Sequence, residues 1–234
     1  MKLEKLWESH DIETVNVLTS VAQRRLKCLK LQKPSDHMGR PREFNVDQAL
    51  DAASRLFWER GYDGTSLSDL TGAIGVTAPS LYLAFGNKEK LFRHVIERYA
   101  QSSAKNVEQA LAEPTARAVT KALLRGYANV VTDPSHVPGC LALNSALPLV
   151  RDHPVRQLLA ENRRELHITV EARFRKARAQ GDLPRNTDVT ALARLVLSIA
   201  WGIAVEAQSG ATRQELYKMI DLTLVGWPMV EAPV

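Results

Sequence analysis

The run Thr77-Ala-Pro-Ser-Leu-Tyr-Leu-Ala-Phe-Gly-Asn-Lys88 sets small, hydroxyl-bearing and aromatic side chains on one short segment. Those residue types suit the major groove of duplex DNA. Ala78 and Pro79 can meet thymine methyl groups, Ser80 can exchange hydrogen bonds with a base edge or a phosphate, and the Tyr82 hydroxyl can reach a phosphate with Leu83 beside it. Thr77 adds a hydroxyl at the opening of the segment. Lys88 brings a charge to the free amides at the start of the following helix, where a phosphate is well held. Arg40 and Arg42, on a Gly/Pro arm ahead of the first helix, are placed to enter an adjacent minor groove.

A second group of residues points to a different chemistry. Cys140 follows Gly139 near the expected start of a helix, where the helix dipole favours a thiolate and so a redox or electrophile sensor. The alternative is a small apolar side chain filling core space. Arg125, Tyr127, Asn144 and Trp201, together with His136 and His153, are polar or aromatic groups that can line a pocket for a small-molecule effector; each can equally serve the surface or the core. Nucleophile-elbow, dinucleotide-binding, Walker-type and zinc-protease motifs are absent, and the six histidines show no metal-ligand spacing. No enzyme activity, metal or cofactor is expected.

The elements that must position these residues are helices. No convincing alternating strand and no internal repeat interrupts the pattern, so the fold class is all-α. Asn45 with Gln48 opens a first helix whose apolar face runs through Val46, Ala49, Leu50, Ala53, Leu56 and Phe57 until Gly61. Ser66 caps a short second helix with Asp69 in its first turn, and Gly75 ends it. Thr77 caps the third, where Pro79 gives up only an amide that has no helical partner. Two short helices around a glycine turn, with Leu70, Ile74, Val76 and Leu81 turned inward, make a helix-turn-helix, the alternative being a packed helical hairpin that only binds protein.

Asn87 caps a long fourth helix. Beyond Pro114, helices are expected over about 115–132, 138–149, 153–180, 187–208 and 212–225. The penultimate one, Ala-Leu-Ala-Arg-Leu-Val-Leu-Ser-Ile-Ala-Trp-Gly-Ile-Ala-Val-Glu-Ala, is apolar nearly all round and needs cover from its own core and from a partner subunit. The expected organisation is an N-terminal extension over 1–37, a DNA-binding module over 38–86, and an effector-binding and dimerisation domain over 87–234. The extension is expected to be dispensable, with Met38 as an alternative start.

Composition narrows the partners. A net charge of +5 at pH 7 points toward nucleic acid, yet residues 38–98 hold eight Lys/Arg and eight Asp/Glu, so placement of charge and not its sum must carry binding. The densest basic stretch, 151–178, lies elsewhere and reads as a solvated helix face. Two cysteines without C-x-x-C spacing support neither a disulfide framework nor a zinc site. The longest charge-free apolar run, 195–205, falls short of the ~20 residues that span a bilayer, and no signal-peptide pattern opens the chain. A cytoplasmic protein without a membrane partner is expected.

At Thr-Ser-Leu-Ser-Asp-Leu-Thr-Gly-Ala-Ile-Gly-Val-Thr-Ala-Pro-Ser-Leu-Tyr-Leu-Ala-Phe-Gly-Asn-Lys-Glu-Lys-Leu-Phe, preceded by Ala-Leu-Asp-Ala-Ala-Ser-Arg-Leu-Phe-Trp-Glu-Arg-Gly-Tyr-Asp-Gly, the chain resembles the DNA-binding module of the tetracycline-repressor family of bacterial regulators. The likeness is specific over about 44–92 and beyond that rests on helix number and length. It implies a three-helix DNA-binding domain, a connecting fourth helix, a helical ligand-binding domain and a homodimer built from the last two long helices. It also implies that Thr65, Ala78, Pro79, Ser80, Tyr82, Leu83 and Lys88 meet a palindromic operator. An unknown small molecule would release the DNA by swinging the fourth helix. The stretch around Cys140 resembles a branch of the same family in which a cysteine here senses electrophiles or oxidants.

Overall fold

A computed structural model describes residues 45–150 and 152–228, so Arg40, Arg42 and the segment 1–37 lie outside the described residues. Helix α1 (Val46–Arg60) starts where the Asn45 side chain accepts a hydrogen bond from the Gln48 amide, and it ends at Gly61. Helix α2 (Leu67–Ile74) is held by a reciprocal capping box between Ser66 and Asp69, and Gly75 terminates it in the left-handed conformation at φ 77°. Helix α3 (Ala78–Phe85) is capped by Thr77 and ends at Gly86, where φ is 82°. Helix α4 (Lys88–Leu111) is capped by Asn87. Each of these caps stands where the sequence places it.

The remaining elements are α5 (Ala116–Val131), α6 (Leu141–Ala146), α7 (Pro154–Ala179), α8 (Val189–Gln208) and α9 (Arg213–Thr223), and no strand occurs among the described residues. Helix α6 is much shorter than the helix expected over 138–149. Gly139 adopts φ 109°, a backbone that L side chains rarely take, and Cys140 is extended at φ −118°, so the helix cannot begin before Leu141. Leu147 keeps helical backbone and its amide still donates to the Leu143 carbonyl, but Pro148 has no amide to continue the ladder, and the helix closes there.

Apolar side chains gather in two clusters. In the first, Ala49, Ala53, Phe57, Leu70, Leu81 and Phe85 of α1 to α3 pack against Leu91, Phe92, Val95 and Ile96 of α4. Phe57 lies at its centre, fully buried, with the Phe92 ring edge-on at 4.9 Å and Tyr62 stacked at 6.0 Å. The second cluster joins α5, α7, α8 and α9 through residues such as Leu124, Phe174, Ile203 and Ile220. Helix α8 runs through it and is, by length and composition, apolar enough to cross a membrane; 44% of its most apolar stretch is buried within the body. Its uncovered side carries Leu195 and Val205, while Ala200 faces inward and is buried. The face at Ala200 is therefore core, and the large apolar side chains that this helix leaves open are Leu195 and Val205.

Candidate nucleic-acid interface

The reading segment is presented as a hairpin of two short helices. Leu70 of α2 and Leu81 of α3 are buried and lock the pair, and the Val76 amide donates to the Thr71 carbonyl across the turn. Rotation of α3 about its axis is thereby fixed. With Leu81 and Phe85 turned into the core, Thr77, Ala78, Pro79, Ser80, Tyr82 and Leu83 come out on the opposite side, all exposed. Leu83 is 88% exposed and Tyr82 44%. A side chain left so open contributes little to the fold and is free to meet a partner. The Thr77 and Ser80 hydroxyls lie 3.0 Å apart and either can donate, so the pair can offer one donor outward while remaining satisfied.

One residue of the expected interface is placed differently, and another stands at the expected helix start but partly buried. Thr65 is fully buried and its hydroxyl donates to the Gly61 carbonyl at 2.7 Å, so its side chain braces the loop between α1 and α2 and is closed to a phosphate. Lys88 stands at the first position of α4, half-buried, with its ammonium 4.2 Å from the centre of the Tyr62 ring. Burial holds the Lys88 pKa below the usual lysine value, with Asp63 pulling the other way. Its charge is near the reading helix, but part of its hydration has already been exchanged for an aromatic face.

Ion pairs fix the frame of this surface. Arg98 of α4 reaches Asp47 and Asp51 of α1, each at 3.0 Å, and Arg60 meets Asp69 of α2 at 3.1 Å. Asp69, taking hydrogen bonds from the Ser66 hydroxyl and amide and lying beside Arg60, has its pKa held below the usual carboxylate value. Sequence reasoning did not find Arg98. Its partners lie 47 and 51 residues away and no local pattern announces them.

The residues expected to line an effector pocket take different local contacts. Arg125 pairs with Asp221 at 3.0 Å and lies over the Tyr217 ring, which ties α5 to α9. Asn144 donates to the Trp58 carbonyl on α1 at 3.2 Å. Trp201 is half-buried beneath the Arg163 guanidinium at 5.6 Å. His136 stacks on Trp58, and His153 caps α7 through Nδ1. Tyr127 and Cys140 do come together, with Tyr99 as a third member whose hydroxyl is 3.6 Å from the Cys140 sulfur. Burial pushes both phenols well above their ordinary value and the neighbouring thiol adds to it, so they remain neutral donors at ordinary pH. Cys140 itself is buried and precedes a helix of only six residues. Among the described residues, no group of three or more His, Cys, Asp or Glu is placed to hold a metal ion.

Comparison with known proteins agrees with this geometry. The family described as bacterial regulatory proteins, tetR family, matches residues 49–95, and that described as tetracyclin repressor-like, C-terminal domain, matches 118–221. The HTH-type transcriptional repressor ComR of Escherichia coli (strain K12) is 35% identical over 207 residues, which cover 86% of this chain and 95% of that protein. A cysteine mutant of the TetR family transcriptional regulator CifR, solved in complex with 26-base-pair double-strand operator DNA, is 36% identical with a TM-score of 0.75, covering 81% of this chain and all of that one. The transcriptional regulator FadR from Bacillus subtilis, solved with stearoyl-CoA, shares the fold at a TM-score of 0.65 and 18% identity over 78% of this chain and 98% of that one. With the helix-turn-helix inside the first matched stretch and α5 to α9 spanning the second, the chain belongs to the tetR family of bacterial regulatory proteins.

Proposed function

We propose that the chain is a transcriptional repressor that holds a palindromic operator in duplex DNA as a homodimer and is released from it by a small molecule. The observation that carries this reading is the outer face of α3, where Tyr82 and Leu83 stand exposed beside Ala78, Pro79 and Ser80 while Leu81 and Phe85 anchor the same helix. One such helix reads only a few base pairs, so a second copy is needed to give a site its length. The DNA-binding module is assigned to 38–86, the effector-binding and dimerisation domain to 87–234, and 1–37 to an extension that DNA binding does not use. Arg40 and Arg42 are assigned to the minor groove. Nothing in the reading gives the chain a catalytic role, and its place of action is the cytoplasm, where the DNA is.

The effector is assigned to the helical body below α4, where Tyr99, Tyr127 and Cys140 meet. A ligand can shift the equilibrium only through different affinities for the DNA-competent and the released arrangement. ComR, named a repressor, and CifR, seen on operator duplex, support the choice of repressor.

The test is fluorescence anisotropy with duplexes tiled across the region upstream of the protein's own coding sequence, in a salt series. Tight binding to one duplex, with log affinity falling linearly against log salt, is the expected outcome. Equal weak binding to every duplex would overturn the reading.

A further inference from the structure

Tyr62 stands on the loop between α1 and α2, only 9% exposed. Gly61 turns that loop at φ 69°, and Thr65 closes it, its hydroxyl donating to the Gly61 carbonyl at 2.7 Å and its amide to the Tyr62 carbonyl at 3.4 Å. Other rings then fix the plane of Tyr62. Phe57 lies nearly parallel to it at 6.0 Å, Phe92 meets it edge-on at 5.1 Å, and His153 approaches at 5.3 Å. A ring so enclosed cannot turn without moving its neighbours.

Over this ring lies the Lys88 ammonium, 4.2 Å from its centre. Lys88 and Phe92 are one turn apart on α4, so the helix that carries the charge also grips the ring, and the core sets the distance between them. The helix start alone does not favour a cation there. At the first position of α4 the ammonium faces the positive end of the helix dipole, and burial strips water from it, lowering its pKa although Asp63 favours the charged form. The electron-rich face of Tyr62 supplies the opposing attraction. An ammonium has three N–H donors and a ring face engages only one side of it, which leaves donors for a phosphate oxygen. A free lysine gives up side-chain freedom and water when it meets a phosphate; Lys88 has given up part of both on folding.

We infer that Tyr62 is a positioning residue for operator binding, which acts through Lys88 by holding its ammonium at the border of the reading surface, ready for a DNA phosphate on the side away from the ring. The inference rests on Lys88 meeting a phosphate in the proposed repressor. Tyr62 is itself enclosed by other rings, so its part in binding passes through the lysine. Charge on the ring face, and not ring size alone, then decides how well Lys88 serves.

The test measures operator affinity of the full chain by fluorescence anisotropy in a salt series, with positions 62 and 88 varied singly and together. Tyr62→Phe keeps the ring and sets the reference. Pentafluorophenylalanine in place of Tyr62 keeps the shape but reverses the charge on the ring face, and it is expected to weaken binding about tenfold relative to that reference. Tyr62→Leu removes the face altogether and should do the same. In the Lys88→Met background all three side chains at position 62 should bind alike, because no cation remains to be held. Thermal unfolding reports what each change does to packing against Phe57 and Phe92. Equal or tighter binding with the fluorinated ring would overturn the positioning role, as would a loss of the same size with Lys88 present and with Lys88→Met. A Lys88→Met variant with the affinity and the salt slope of wild type would instead overturn the phosphate contact on which the inference rests.

Discussion

The Lys88 ammonium lies 4.2 Å from the centre of the Tyr62 ring, at the first turn of α4 and on the border of the reading surface. Cation and ring are partly withdrawn from water together, so the lysine is held in one position before any DNA arrives. Lys88→Met keeps most of the stem and removes the charge. If Lys88 neutralises a phosphate, the variant binds operator more weakly and its plot of log affinity against log salt is shallower by about 0.9, the counterion release of one phosphate contact. An unchanged slope would assign Lys88 to the Tyr62 contact alone.

Tyr82 and Leu83 carry exposed area that the fold does not use. Tyr82→Ala and Leu83→Ala are expected to leave stability within about 0.5 kcal/mol, as surface substitutions do, while operator affinity falls at least tenfold, a loss of about 1.4 kcal/mol. Ser80→Ala and Ala78→Gly should instead change which bases are preferred. Anisotropy on the operator and on single-base variants separates the two effects, and full affinity in Tyr82→Ala would show that α3 is not the reading helix.

The parts of this fold that are written locally were legible in the sequence. Asn45, Ser66, Thr77, Asn87 and Thr212 each accept from an amide in the first turn that follows, and a cap needs nothing farther away than that turn. The inward positions of α2 and α3 follow from helical period alone. What was not legible depends on how the chain packs. Thr65 stands among the DNA contacts that the resemblance implies, yet its hydroxyl is taken by the Gly61 carbonyl, and Asn144 reads as a pocket residue until α1, 86 positions earlier, arrives to accept from it. The length of α6 was hidden for another reason: helical period continues through Pro138 to Leu149, but the backbone at Gly139 does not. On α8, a face apolar all round gives no sign of which side meets the body, and only the packed structure separates Ala200 from Leu195.

Thr65 offers a direct check of its reassignment. Thr65→Val keeps the shape and removes the donor to the Gly61 carbonyl, leaving a buried acceptor unpaired, so a loss of about 1–2 kcal/mol of stability is expected. Chemical denaturation reads this. The salt slope of operator binding should not change, and a shallower slope would return Thr65 to the phosphate contacts.

Acid should loosen the reading hairpin through Asp69. Its folded pKa lies below the ordinary value of 3.8, because the Ser66 hydroxyl and amide and the Arg60 guanidinium all favour the carboxylate. A depressed folded pKa means that the unfolded chain takes up the proton first, so the stabilisation is complete above 3.8 and is lost as pH falls below it toward the folded value. In denaturation from neutral to strongly acid pH, wild type should be more stable than Asp69→Asn at pH 7, with the difference closing below about pH 4. A difference that stays constant across that range would mean the capping box does not depend on the charge.

The dimer contact can be located by the two sides of α8. Leu195 and Val205 are 56% and 50% exposed, and Ile168 on α7 is 54% exposed, so these two helices leave apolar side chains open that a second copy can cover. Ala200 is only 8% exposed and packs into the C-terminal cluster. A charge placed at each site has opposite consequences. Val205→Asp, next to Glu206, puts like charges on the outer side and should split the dimer while leaving the helical signal and the thermal transition of the monomer intact. Ala200→Asp puts an unpaired carboxylate into the core and should unfold the chain outright. Sedimentation velocity at micromolar protein, read beside circular dichroism, distinguishes these outcomes. The folded Val205→Asp monomer should also lose operator binding, because a single reading helix lacks the second half-site. A folded dimer in Val205→Asp and Leu195→Asp alike would move the contact to another face of the body.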